Sequence, residues 1–213
     1  MEFKKLLKLL GDEPVFESSF LFAGDVQPEY MRLQLDRWVK AGKIHQLRRG
    51  VYALAAPYQK QKPHPFLVAN RLQKPSYVSL QSALSFYGMI PEIVNETTSV
   101  TTVRNERLNT PLGIFEYRFI NKKYFGGYRL SSLGGQQAFI AVPEKAILDL
   151  IYLQSGGDTQ AFVSELRLQN LENLNVEELR LQGKLFDKPK IYRAIQIIEL
   201  LVKEEYQGYE ELW

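Results

Sequence analysis

Apolar residues recur every three or four positions between residues 28 and 41, which is the pattern of an amphipathic helix. Pro28 stands in the first turn, where its missing N–H would have no partner. Gly42 follows the last turn, where glycine readily takes the left-handed conformation of a helix stop. The apolar stripe consists of Met31, Leu35, Trp38 and Val39. The opposite, polar face carries Tyr30, Arg32, Gln34 and Arg37.

The segment after Gly42 has the pattern of a tight β-hairpin. Apolar residues stand on both sides of a short basic tip, Arg48-Arg49-Gly50, whose glycine allows the chain to turn. These apolar residues are Ile44 and Leu47 before the tip and Val51, Tyr52 and Leu54 after it. The sequence thus predicts a helix that is followed at once by a hairpin with two arginines at its tip.

This order of elements is typical of the second half of a winged helix-turn-helix domain. A helix fits the DNA major groove, where polar side chains read base edges, and arginines at a wing tip lie beside phosphates. Residues 3–10 and 16–23 are predicted to form two preceding helices, and Gly24-Asp25 to end the second. We therefore predict a winged-helix DNA-binding domain over residues 1–56. The alternative is a plain amphipathic helix packed on a hairpin, with a charged face that is simply solvated.

Prolines and polar residues mark a boundary after this domain. Residues 57–65 hold three prolines, and such a segment favours extended geometry and buries little surface. We predict a linker there and a second, mixed α/β domain over residues 66–213, so the fold class is α+β with a small sheet and terminal helices. The predicted helices are 66–73, 79–87 (with Ser79 as N-cap), 143–153 and a last helix over 189–205, and the predicted strands are 97–104, 113–120, 124–130 and 137–142.

The charge distribution agrees with a DNA-binding N-terminal domain. The net charge is only +3, but residues 1–65 hold 11 basic and 7 acidic side chains, while the rest hold 16 basic and 17 acidic ones. The positive excess lies in the segment where an electrostatic footprint for DNA is expected.

The chain has no cysteine, no secretory signal and no apolar run near the roughly 20 residues of a membrane span. We therefore expect a cytoplasmic protein without a membrane partner.

Few residues of the second domain suggest catalysis. The two histidines, His45 and His64, fall in the hairpin and the linker, and a chain without cysteine has no histidine–cysteine zinc site and no thiol nucleophile. Glu144, Lys145 and Asp149 lie close together on one predicted helix and could suggest a metal-dependent nuclease. The carboxylates of such nucleases, however, are usually spread over a strand. We expect Glu144 to stabilise the helix N-terminus and the other two to lie on a solvated face. The sequence predicts no enzyme, no cofactor and no metal.

Five segments of the second domain form a recognisable series. In chain order they are YVSLQSALSFYGMIPE, TSVTTVR, LGIFEYRFI, FGGY and VPEKAILDLIYL. This series resembles the C-terminal part of the AbiEi antitoxin family, bacterial transcriptional regulators of type IV toxin–antitoxin systems. The segment LDRWVKAGKIHQLRRGVYAL resembles the winged helix of the same family. The likeness covers most of residues 17–153 and depends more on the order of the segments than on any one of them.

The resemblance implies a repressor that binds inverted repeats in its own promoter. It also implies an antitoxin that opposes a nucleotidyltransferase-like toxin without forming a stable complex with it. By resemblance, Gln34 and Arg37 on the reading helix and Arg48 and Arg49 on the wing contact DNA. The full set of candidate DNA-binding residues is Tyr30, Arg32, Gln34, Arg37, Lys43, Arg48 and Arg49. Two alternatives remain: a nucleic-acid-processing enzyme that uses the winged helix only for docking, and a winged helix that contacts only proteins.

Overall fold

The structure is a computed structural model that describes residues 1–22 and 27–210. Helices and two β-sheets within these residues confirm the predicted α+β class. The helices are α1 (Phe3–Leu10), α2 (Pro28–Lys40), α3 (Pro65–Leu72), α4 (Leu80–Phe86), α5 (Pro143–Leu153), α6 (Gln160–Glu165), α7 (Val176–Phe186) and α8 (Pro189–Glu210). The strands are β1 (Val15–Glu17), β2 (Ile44–Arg48), β3 (Val51–Leu54), β4 (Ser76–Val78), β5 (Glu96–Thr101), β6 (Glu106–Thr110), β7 (Gly113–Phe119), β8 (Tyr128–Leu133) and β9 (Gln136–Ala141).

The N-terminal unit, residues 3–54, is a three-stranded antiparallel sheet with α1 and α2 on one face. Its strand order is β1-β3-β2. Because successive strand residues point to opposite faces, this sheet contributes to two cores. Phe16, Ile44 and Leu54 pack with Leu6, Met31, Leu35 and Trp38 of the two helices, and Val15, Leu47, Val51 and Ala53 join the core of the rest of the chain.

The helix predicted over residues 16–23 is only partly present. Val15–Glu17 forms strand β1, and Ser18–Phe22 forms a short 3₁₀ helix. Strand β1 pairs with β3, which lies far along the chain, and this pairing buries Val15 and Phe16 on opposite faces. A short apolar run fits either element, so the distant partner decides the outcome. Ala23 and the predicted break at Gly24-Asp25 lie outside the described residues.

The C-terminal unit contains a six-stranded mixed sheet in the order β6-β7-β5-β4-β9-β8. The pairs β5–β7 and β4–β9 are parallel, and the other neighbouring pairs are antiparallel. Three of the predicted strands correspond to β5, β7 and β9. The strand predicted over 124–130 begins only at Tyr128, after a 3₁₀ turn at Lys122–Tyr124. The sequence did not predict β4 or β6.

Helix α5 is the central helix of this unit. It begins at Pro143 and ends at Leu153, as predicted, and it contacts α4, α7, α8 and β9. Because it is covered on several sides, eight of its eleven residues are buried. The last helix begins at Pro189, as predicted, and extends to Glu210. Among the described residues, no helix combines the length and the apolar character that a membrane span requires.

The segment predicted as a linker follows a fixed path over the C-terminal unit. Ala56–Tyr58 forms a 3₁₀ turn. The Gln136 side chain on β9 then accepts a hydrogen bond from the His64 N–H and donates one to the Lys62 carbonyl, each at 2.8 Å. His64 in turn caps α3, because its Nδ1 accepts the Phe66 N–H at 3.1 Å.

Candidate nucleic-acid interface

Helix α2 turns one face to solvent. Three of the four residues of its predicted apolar stripe, Met31, Leu35 and Trp38, are no more than 4% exposed, and Val39 is half-buried. The outward side chains are Tyr30, Arg32, Leu33, Asp36, Arg37 and Lys40, with Gln34 half-buried. Among the described residues, these side chains make one pairing, the ion pair between Asp36 and Lys40 at 2.7 Å. The outer face of α2 is therefore free to contact another molecule.

The predicted residues of α2 do not all share one flank of the helix. At about 100° per residue, Tyr30, Leu33, Gln34 and Arg37 fall within an arc of about 100°. Arg32 lies roughly 160° away from Gln34 on the same scale, on the flank that also carries Asp36. Tyr30, Gln34 and Arg37 thus lie on one flank of the exposed face, and Arg32 lies on the other. Leu33 is the member of this group that the sequence did not predict, although a leucine outside the apolar stripe is a signal for it.

The hairpin between β2 and β3 has a two-residue loop, Arg49-Gly50. Gly50 has φ +83°, a left-handed conformation that favours glycine, and its carbonyl accepts the Ser18 N–H at 2.8 Å. Arg49 is exposed, and no other described residue forms a hydrogen bond or ion pair with its guanidinium. The tip therefore presents one arginine to solvent.

Arg48 points into the protein. Its guanidinium donates to the Leu72 carbonyl at 2.6 Å and to the Gln73 Oε1 at 3.4 Å, and it lies 3.5 Å from the Glu106 carboxylate. Leu72 ends α3 and Glu106 begins β6, so all three partners belong to the C-terminal unit. The sequence predicts Arg48 as a DNA-binding residue, but in the structure its guanidinium is bound by groups of the protein itself.

Lys43 lies where the chain passes from α2 to β2. Its ammonium is 5.0 Å from the centre of the Phe3 ring on α1, and the residue is half-buried. This is the geometry of a cation–π contact. Lys43 therefore joins α1 to the start of the hairpin, and it adds positive potential near α2 without lying on its outer face.

Ion pairs and apolar contacts together attach the N-terminal unit to the C-terminal unit. Glu17 pairs with Lys74, and Glu13 with Arg71 at 3.4 Å. On the apolar side, Val15 belongs to the same buried cluster as the α3 residues Val68, Ala69 and Leu72. These contacts, with those of Arg48, fix the direction in which α2 faces away from the C-terminal unit.

A fully buried polar cluster lies between β4 and α5. The Lys145 ammonium pairs with Asp149 one helical turn on and donates to the Tyr77 hydroxyl at 2.8 Å. Asp149 also accepts the Tyr77 O–H at 2.9 Å and the Ser79 O–H at 2.8 Å. None of these four residues is more than 2% exposed. The solvated face predicted for Lys145 and Asp149 is therefore wrong, because α5 is covered by other helices and by the sheet.

Burial governs the ionisation of this cluster. Removal from water raises the pKa of the Asp149 carboxyl and lowers the pKa of the Lys145 ammonium, while the attraction between the two charges opposes both shifts. Burial, with the neighbouring carboxylate, also raises the pKa of the Tyr77 hydroxyl. Enclosed groups of this kind do not reach a substrate, so the cluster joins α5 to the sheet.

Two other polar residues, Ser79 and Glu144, also take part in the packing around α4 and α5, and Glu144 lies in the first turn of α5 as predicted. Ser79 occupies the predicted N-cap position of α4, but its side chain makes no capping bond and its hydroxyl donates to Asp149. Glu144 is 5% exposed, and its Oε1 accepts the Asn175 N–H at 2.8 Å. Glu144 thus joins α5 to the start of α7.

Two further observations bear on what the chain can bind. Among the described residues, no three His, Asp or Glu side chains are grouped so that they could hold a metal ion. No protein-family model matches the chain, and no curated protein is significantly similar to it.

Proposed function

We propose that this protein is a DNA-binding transcriptional repressor whose reading unit is a winged helix formed by residues 1–56. The outer face of α2, exposed directly before a tight hairpin that presents Arg49, is the observation that carries the proposal. The order of elements supports it, since a winged helix places its reading helix before a two-stranded wing and completes the wing sheet with an earlier strand, as β1 does here. The positive excess of residues 1–65 supports it as well.

Each residue has a distinct role in this proposal. Arg37 and Gln34 read base edges in the major groove, where an arginine recognises guanine and a glutamine recognises adenine through paired hydrogen bonds. Tyr30 and Leu33 lie beside them and supply apolar and hydroxyl contacts. Arg49 binds phosphate, which adds affinity and fixes the register without reading sequence. Arg48 is left out of the DNA contacts because it binds Leu72 and Glu106.

On the resemblance to the AbiEi family, we also propose that the protein is a cytoplasmic type IV antitoxin. It represses its own operon through inverted repeats and opposes a nucleotidyltransferase-like toxin without a stable complex. The enclosure of Tyr77, Ser79, Lys145 and Asp149 favours a regulator over a nucleic-acid-processing enzyme, because the most reactive-looking group of the C-terminal unit has no access to a substrate.

Titration of the full-length protein against labelled duplexes tests the repressor. We expect it to bind a fragment of its own promoter more tightly than a scrambled duplex. Gln34→Ala or Arg37→Ala should reduce this preference by about 1–3 kcal/mol for each good paired contact. Arg32→Ala is the matched control on the other flank of α2 and should keep the preference. Equal affinity for promoter and scrambled duplexes would refute sequence reading.

The antitoxin proposal implies a nucleotidyltransferase-like gene beside the gene of this protein, and growth of cells that express both tests it. We expect co-expression of the full chain to restore growth, and we expect the two proteins not to co-purify. Continued growth arrest at equal expression of the folded protein would refute the antitoxin proposal and leave the repressor proposal intact.

A further inference from the structure

The two edges of the six-stranded sheet differ in how they are protected. Strand β6, at one edge, carries Glu106 and Arg107, whose charges pair with Arg48 and Glu96. Strand β8, at the other edge, contains a single charged residue, Arg129, and no proline. Natural proteins usually protect sheet edges with charges, prolines or bulges, because an open edge attracts another strand. By this measure β6 is protected and β8 is open.

The hydrogen bonds of β9 show which backbone groups of β8 are free. Phe139 on β9 lies opposite Leu130 on β8, and the Phe139 N–H donates to the Asn70 side chain at 2.6 Å, on the side away from β8. Leu130 and Phe139 are therefore a non-hydrogen-bonded pair of the antiparallel ladder, and the Leu130 N–H and C=O point outward. By alternation, those of Tyr128 and Ser132 also point outward. Within the described part of the chain, these outward groups have no hydrogen-bond partner.

The side chains beside this edge are apolar and exposed. Leu130 is 52% exposed, Phe139 43% and Tyr128 37%. They share one face of the sheet, since Leu130 is opposite Phe139 and two residues from Tyr128, and the Tyr128 and Phe139 rings are 5.5 Å apart. An apolar strip next to free backbone groups is suited to an added strand.

We propose that β8 pairs with β8 of a second copy of this chain, antiparallel about a two-fold axis. A register centred on Leu130 places Leu130 opposite its own counterpart and Tyr128 opposite Ser132 of the second copy. All three outward residues are then paired, and each pair exchanges two backbone hydrogen bonds. This arrangement extends the sheet continuously from one copy into the other.

The position of the single charge and the length of β8 favour this register over the other symmetric registers, and they favour a second copy of β8 as the partner. With the axis at Leu130, each Arg129 lies opposite an uncharged Ser131. With the axis at Arg129, the two arginines would face each other directly, which is destabilising. With the axis at Ser131, Tyr128 would lie beyond the end of the paired strand. The register centred on Leu130 is thus the only symmetric one that pairs every outward backbone group. It also places the single charge of the strand opposite a serine, so β8 is complementary to a second β8.

Single cysteines test the register, because the chain has none of its own. Residues of a hydrogen-bonded antiparallel pair have Cα atoms about 5.5 Å apart, within the roughly 4.4–6.8 Å that a disulfide spans. We therefore expect full-length Leu130→Cys to form a covalent dimer on mild oxidation. A mixture of Tyr128→Cys and Ser132→Cys should form a mixed disulfide for the same reason. Asn109→Cys, exposed on β6, is the matched control and should stay monomeric.

Sedimentation of the unmodified full chain over a concentration series tests the dimer without a covalent bond. We expect a monomer–dimer equilibrium that Leu130→Lys weakens at least tenfold, because it places two lysines opposite each other, and that Asn109→Lys leaves unchanged. Far-UV circular dichroism checks that each variant is folded. If Leu130→Cys fails to fold, the Tyr128→Cys and Ser132→Cys mixture decides. A chain that stays monomeric throughout, or that cross-links as readily through Asn109→Cys, would overturn the proposal.

Discussion

Arg48 and Arg49 are adjacent, yet they interact with different surroundings. Arg48 is the last residue of β2, directly after an irregularity in its pairing with β3, and Arg49 lies in the two-residue loop that follows. Arg48 is held by the Leu72 carbonyl and by Glu106, and Arg49 is exposed at the hairpin tip. One guanidinium thus contributes to stability, and its neighbour is available for phosphate.

Alanine substitution at each position should separate these two roles. Arg49→Ala should weaken binding to all duplexes and reduce the slope of log K against log salt by about 0.9, the value for one phosphate contact. Arg48→Ala should leave that slope unchanged but lower the free energy of unfolding by about 1.5–3 kcal/mol, the range for hydrogen bonds to charged groups. Anisotropy titrations at several salt concentrations and urea denaturation measure the two effects. Arg49→Lys, which keeps the charge, should retain the slope.

The buried pair of Lys145 and Asp149 gives a second test at this scale. Lys145→Met or Asp149→Asn alone leaves one buried charge without its partner, and each should destabilise the fold by about 3–5 kcal/mol. The double variant should cost clearly less than the sum of the two, since it removes both charges and the asparagine still accepts from Tyr77 and Ser79. Urea denaturation of all four proteins measures this coupling. Additive losses would show that the two charges do not stabilise each other.

These residues also show what a sequence pattern leaves open. The helical spacing of apolar residues correctly predicted the buried faces of α2 and α5. It could not show that Lys145 and Asp149 are covered too, because Tyr77 and Ser79, which contact them, lie far earlier in the chain. The basic tip of the hairpin was likewise predictable, whereas the partners of Arg48 at the end of α3 and the start of β6 were not.

Elements with strong local signals were predicted closely. Helices α1 and α5 have the predicted bounds, and α2 begins at Pro28 as expected. The strands β1 and β4 have three residues each and no alternation of apolar and polar positions, so their place depends on partners elsewhere in the chain. Burial alternates along strand β6, but its sequence contains one apolar residue, Leu108, and its charged residues resemble those of a surface loop.

Helix α3 depends on a cap that titrates. The His64 Nδ1 accepts the Phe66 N–H, which requires the neutral ring, and burial lowers the pKa of the His64 imidazole. The unfolded chain therefore takes up the proton first. The stability from this cap is fully present above the unfolded pKa of about 6.5 and is lost as the pH falls below that value, through the folded pKa.

His64→Asn should remove this pH dependence and keep the cap, because asparagine is a good N-cap that does not titrate. Between about pH 7.5 and pH 5.5 we expect the Tm of the natural chain to fall further than that of His64→Asn. His64→Ala should cost about 0.5–2 kcal/mol at the higher pH, where the cap is intact. Thermal unfolding followed by circular dichroism provides both measurements. Parallel Tm curves for the natural chain and His64→Asn would contradict the role of the imidazole.

At the scale of the whole molecule, the larger of the two cores contains residues of both predicted halves. The prolines of residues 57–65 predicted where the chain is extended, but composition does not show whether the segments on either side pack together. Val15, Leu47, Val51 and Ala53 of the N-terminal unit belong to the same buried cluster as Val68 and Leu72 of α3. A fragment that begins at residue 66 would expose this surface. Any test of how repression and neutralisation are divided is therefore better made with the full chain.

The combined variant Gln34→Ala, Arg37→Ala, Arg49→Ala provides that test. All three side chains lie outside both cores, so we expect its Tm to match that of the natural chain. It should fail to repress a reporter under its own promoter, because it lacks the base contacts and the phosphate contact of the proposed winged helix. It should still restore growth against the toxin that the antitoxin proposal implies, if the C-terminal unit neutralises alone. Arg32→Ala is the control that keeps both activities. Loss of growth rescue at equal expression and unchanged Tm would mean that neutralisation itself needs the DNA-binding face.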